Sequence, residues 1–148
     1  LLYGIGTTII PFNGMSFRLY ASINEGSDGA EDIINYAMFA GYRHRYFSVA
    51  LEYNIMRNSN RMAGKNLYGF SLYATGTLNR WLDIYARTDG LMSGDDWNEQ
   101  NDEIAIIAGA QFKLGRYIKI APNFRMSIPK ADGVENRYYA YISCSFGL

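Results

Sequence analysis

Between residues 117 and 128 the chain reads YIKIAPNFRMSI, and its side chains alternate almost without fault. Ile118, Ile120, Pro122, Phe124, Met126 and Ile128 fall on one parity; Tyr117, Lys119, Ala121, Asn123, Arg125 and Ser127 fall on the other. A period of two marks an extended strand with unlike faces. The pattern recurs along the chain and predicts strands near 1–9, 15–25, 33–43, 46–57, 66–78, 81–91, 103–114, 117–128 and 137–148. Met15, Phe17, Leu19, Ala21 and Ile23 oppose Ser16, Arg18, Tyr20, Ser22 and Asn24; the last strand sets Tyr138, Ala140, Ile142, Cys144 and Phe146 against Tyr139, Tyr141, Ser143 and Ser145. Parity is blurred in 1–9 and 33–43. No stretch carries helical periodicity over a useful length.

The connections sort by length. PFNG (11–14), HR (44–45), NR (79–80) and GR (115–116) are short; GSDGAED (26–32), NSNRMAGKN (58–66), MSGDDWNEQND (92–102) and PKADGVEN (129–136) are long and polar. Short and long exchange strictly, as in an up-and-down barrel with tight turns on one side of an outer membrane and longer loops on the other. One apolar face per strand also suits a sheet packed on a soluble core. Against that reading, charges sit mid-strand on the polar parity, and no helix is predicted to cover the sheet. Tyr42, Tyr46, Trp81, Tyr117 and Tyr138 collect near strand ends, where an interfacial girdle would place them. The expected fold is therefore all-β: an antiparallel up-and-down transmembrane β-barrel in which residues 1–148 form a single domain.

Composition adds to this. Thirteen Tyr and 15 Gly against 3 Pro favour strands and turns. Fourteen basic and 14 acidic residues give no bulk charge that would draw nucleic acid. No apolar run reaches the length of about 18 residues that a membrane helix needs, whereas a barrel strand spans with about 9–11. Cys144 is the sole cysteine, so the chain holds no internal disulfide.

Three segments carry a resemblance: DIYARTDGL (83–91) with its acidic loop, IIAGAQFKLGRYIKIAPNFRMSIPKADG (106–133) and the terminal YYAYISCSFGL (138–148). They resemble the last strands of Bacteroidetes outer-membrane porins of the phosphate-selective-porin-like group, over about residues 81–148. The resemblance implies a closed barrel in the bacterial outer membrane that passes small polar solutes or ions passively. It implies contact with the lipid bilayer and lipopolysaccharide, and a final strand read by barrel-assembly machinery. That strand ends Phe146-Gly147-Leu148, with Leu where Phe or Trp is more usual. No inward-folded, Arg-rich loop is matched, so phosphate selectivity is not implied. An even strand number is the rule for bacterial barrels, so nine strands suggest either the C-terminal portion of a longer chain or one misplaced boundary, with eight or ten strands closing alone. A homo-oligomer and a partner lipoprotein stay open as further associations.

On this reading the lumen wall carries Arg18, Arg43, Arg87, Lys113, Lys119 and Arg125 against Glu52, Asp83 and Asp89. Such charges can set ionic preference, here weakly for anions, or brace the wall by pairing across strands. Bracing is preferred, with Asp83, Arg87, Lys113 and Lys119 expected to pair. Acidic loop residues (Glu25, Asp28, Glu31 and Asp32; Asp95, Asp96, Glu99, Asp102 and Glu103) lack EF-hand spacing and read as solvated rather than Ca²⁺-binding. His44, in the turn RHR, has no second His to work with, so no enzyme and no cofactor are expected. Pro122 deletes a ladder hydrogen bond, which a local bulge would accommodate. The alternative function is a non-conducting outer-membrane barrel with a structural or partner-binding role; a soluble ligand-binding barrel ranks below both.

Overall fold

The computed structural model describes residues 1–147. Alternating apolar and polar residues, rich in aromatic and β-branched side chains, form the strands β1 (Leu2–Ile9), β2 (Met15–Asn24), β3 (Ile33–Arg43), β4 (Phe47–Arg57), β5 (Leu67–Asn79), β6 (Leu82–Ser93), β7 (Glu103–Leu114), β8 (Ile118–Pro129) and β9 (Arg137–Phe146). They pair in sequence order into one antiparallel, up-and-down sheet, β1 to β9. The sheet is not closed: β1 and β9 pair only with β2 and β8. Short connections all lie at one end and long ones at the other, as the loop lengths predict. Three 3₁₀ turns in the long loops, Ser59–Arg61, Gly94–Asp96 and Glu99–Asn101, had no signal in the periodicity.

Register turns the strand-by-strand parities into two continuous faces. Phe17 pairs with Ala40, Ala40 with Leu51, Leu51 with Leu72 and Leu72 with Thr88, all on the apolar parity. The blurred strands resolve too: Tyr3, Ile5 and Ile9 of β1 and Ile34, Tyr36, Met38 and Tyr42 of β3 join that face through their partners. Among the described residues one register shift occurs, between Thr77 and Asn79 at the tight β5–β6 turn.

Burial runs opposite to that of a sheet packed on a soluble core. Leu19, Leu51 and Leu72 are 50%, 51% and 46% exposed, while the polar-face Ser22 and Asn123 are each 7% exposed. Ala50 is the one buried hydrophobic residue among those described. The accessible surface is 10305 Å², against about 7,600 Å² for a compact monomer of this mass. Side chains crowd on the polar side and splay on the apolar side, as they do when a sheet curls toward its polar face. Phe39 and Tyr73 lie on strands two apart, about 9.6 Å in a flat sheet, yet their ring centroids approach to 6.5 Å on the polar side of Ala50.

The bulge expected at Pro122 is absent. Gly109–Asn123 and Phe112–Ile120 pairs flank the site in unchanged register, and the β7–β8 ladder simply lacks the two pairs between them. A side chain at Gly109 would meet the Pro122 carbonyl oxygen at 2.7 Å, so Pro122 turns its backbone polar side to β7. Glycine there allows the close approach, and the ladder tolerates the gap without inserting a residue.

Candidate functional site

The polar face gathers most of the chain's mid-strand charge. Arg18, Phe39, Glu52, Ser71 and Asp89 form one cross-strand row over β2–β6. Arg87, Ile107 and Arg125 form a second over β6–β8. Arg43 pairs with Ser48, Asp83 with Gln111 and Lys113 with Lys119, all on the same side. Every charged residue assigned from sequence to the polar wall therefore shares one face.

Their pairing differs from expectation. Lys113 and Lys119 stand directly opposite each other, an unfavourable juxtaposition of like charge. Lys113 leans instead to the diagonal Asp83 carboxylate, 2.7 Å away, where Gln111 also donates at 3.4 Å. Arg87 does not reach a neighbouring hairpin; its Nε donates to Asp89, two residues on in β6, at 2.7 and 2.8 Å. Asp89 also accepts from the Ser71 hydroxyl. Lys119 has no carboxylate partner among the described residues, nor do Arg18, Arg43 and Arg125. The carboxylate left to face them is Glu52, which accepts from Asn54 at 3.0 Å. Arg137 of β9 also pairs with Glu103 of β7, at 2.9 Å on this face. The Lys113–Asp83 and Arg137–Glu103 pairs brace across strands, and Arg18, Arg43, Lys119 and Arg125 leave the rest of the wall basic.

Arginines lie over aromatic rings on this face. Arg18 sits 5.1 Å from the Phe39 centroid, Arg87 5.8 Å from Tyr73 and Arg125 4.7 Å from Tyr141. Stacking orders the guanidinium while leaving its edge donors available. Arg125 Nε also donates to Asn123 at 3.0 Å.

Glu25, Asp28, Glu31, Asp95 and Asp96 of the long loops are exposed, as expected, and the loops are also tied to one another. Arg61 of the β4–β5 loop donates to the carbonyl oxygen of Glu25, at 2.8 Å, and to the Asn24 side chain, at 3.1 Å. Asn58 donates to the Asp32 carbonyl at 3.0 Å. Trp97 Nε1 donates to the Asn66 carbonyl at 2.8 Å, joining the β6–β7 loop to the β4–β5 loop. Lys130, just beyond β8, pairs with Asp96. Asp102, 1% exposed, accepts the Ser93 backbone N–H and hydroxyl, each at 2.8 Å. The Asp96 hydrogen bond raises the Lys130 pKa above the ordinary lysine value; slight burial opposes this, and the Asp96, Asp102 and Glu99 charges reinforce it. Together these ties link the four long loops into one rim.

No group of three or more metal-ligating side chains forms among the described residues. His44 is exposed in its turn, its ring near Tyr46 and Phe47 at 5.7 and 5.2 Å. Cys144 is exposed on the apolar face. At the short-turn end, Tyr46, Trp81 and Tyr117 are exposed together, while Tyr138 lies at the long-loop end. Trp81 stacks on Phe112 at 6.2 Å. The rim contacts of Arg61, Trp97 and Lys130 had no signal in strand periodicity, because each joins loops far apart in sequence; Asp102 bonds Ser93 within its own loop, where no strand pattern reaches.

Comparison with protein-family models, with curated proteins and with solved structures finds no match to this chain.

Proposed function

We propose that this sheet is part of the wall of an outer-membrane, porin-like β-barrel that passes small polar solutes or ions passively. The observation that carries the reading is the inverted burial: large apolar side chains such as Leu19, Leu51 and Leu72 exposed on one continuous face, with Ser22, Ala50 and Asn123 buried on the other. Lipid hydrocarbon is the medium in which such an apolar face needs no further protein cover. Sorted turns, aromatic residues at strand ends and the resemblance of residues 81–148 to Bacteroidetes porins point the same way. Strands β1 and β9 run in the same direction, so antiparallel closure takes an odd number of further strands.

The alternative, a non-conducting barrel that binds a partner through its loops, draws on the ordered rim built by Arg61, Trp97 and Lys130. Reconstitution of the protein in a planar bilayer separates the two. Stepwise conductance is the expected result. A protein that partitions into detergent yet never conducts supports the partner-binding barrel, and one that stays monodisperse without detergent ends both readings.

A further inference from the structure

The Phe39 ring lies over Gly41, where an added Cβ would meet it at 2.7 Å. By parity it points to the polar face, where the other aromatic residues of β2–β6 are tyrosines (Tyr20, Tyr73 and Tyr85). It has no core to fill: the apolar face lies on the other side of the sheet. Instead it borders a depression of about 610 Å³ at the short-turn end of the polar face. Small residues floor this hollow, with Ser16 paired to Gly41 and Gly41 to Ala50. The rings of Phe39 and Tyr73 wall one side. Arg18 and Arg43 border it as well, and neither has a carboxylate partner among the described residues.

We infer that this hollow binds a small organic carboxylate with a ring-shaped body. The two guanidiniums supply positive charge and forked donors that match a carboxylate. Arg18, ordered over Phe39 at 5.1 Å, keeps its edge free to donate. The rings offer faces for a flat or cyclic body to lie against. Ser48, whose hydroxyl is 2.6 Å from that of Thr75, adds a polar group beside the small-residue floor. A simple inorganic anion would use the charges and make no contact with the ring surfaces that wall the hollow. The inference goes beyond the channel reading and needs only the polar face, not conduction.

The test uses the purified full chain in detergent, titrated calorimetrically with benzoate, glucuronate, acetate and benzyl alcohol. Benzoate or glucuronate binding about tenfold tighter than acetate and benzyl alcohol is expected. An aromatic ligand is indicated if benzoate leads, a sugar acid if glucuronate leads. Arg18→Gln and Arg43→Gln should each weaken binding about tenfold, while Phe39→Leu removes the advantage over acetate. Arg116→Gln, in the β7–β8 turn, should change nothing, and unaltered far-ultraviolet circular dichroism shows each variant folded. Ring-bearing anions that bind no better than acetate, or binding unchanged in folded Arg18→Gln, would overturn the site. Conductance is read separately, so a protein that binds without conducting keeps this site and loses the channel.

Discussion

Phe70 lies over Gly90, its cross-strand partner in the β5–β6 ladder, so closely that a Cβ at Gly90 would sit 2.0 Å from the ring edge. The ring fills the space that glycine leaves and shields its backbone, a device that pins strand register. Gly90→Ala should therefore force the ring out and cost roughly 1–3 kcal/mol. The cost should shrink in a Phe70→Leu background, which urea unfolding of the four-member mutant cycle would measure. Equal losses in both backgrounds would mean that the ring is not what meets the new methyl group.

The Asp102 carboxylate holds both donors of Ser93 inside the rim. Asp102→Ala leaves a buried N–H and hydroxyl without their acceptor and should destabilise by about 1.5–3 kcal/mol. Asp102→Asn, which keeps one acceptor oxygen, should lose less. Denaturant midpoints for the two variants check the order.

Arg61 adopts a left-handed backbone, φ 60°, a conformation costing a non-glycine residue about 1–2 kcal/mol. Its side-chain bonds to Asn24 and Glu25 hold it there. Arg61→Ala should release the 25–32 loop from the 58–66 loop, seen as faster proteolytic cleavage in both while the strands remain protected. Cleavage at the wild-type rate would place the tie elsewhere.

Lys130 has a folded-state pKa raised mainly by its hydrogen bond to Asp96. The contribution of this pair is fully present below the pKa of lysine in the unfolded chain. It is lost as pH rises through the higher folded value. The rim joint should thus hold through neutral pH and weaken only in strongly alkaline solution. Amide exchange of residues 94–102 against pH reads this directly, and Lys130→Met should abolish that dependence.

If the polar face lines a conducting lumen, its ion pairs are the places where one substitution exposes a charge. Asp83→Asn frees Lys113 and should move the reversal potential in a salt gradient toward anions; Lys113→Met frees Asp83 and should move it toward cations. The pair is partly exposed and contributes about 1 kcal/mol or less, so both variants should still fold. Reversal potentials that stay fixed would place this pair outside the ion path.

Local order was written plainly in the chain. A period of two, broken by short turns and long polar loops in strict exchange, determined the number of strands, their boundaries to within about two residues and the unlike faces of all but the two blurred strands, because side-chain alternation in a strand needs no knowledge of its neighbours. Partnership was another matter. Only register decided that Lys113 leans to Asp83 while Arg87 takes Asp89, that Pro122 costs the ladder two pairs without a bulge, and that Phe39 borders a hollow. Only the closing of the 92–102 loop on itself decided that Asp102 is buried against Ser93 rather than solvated. Each of those contacts joins residues distant in sequence or choosing among several neighbours, and such choices depend on distances across the sheet that no single strand's pattern contains.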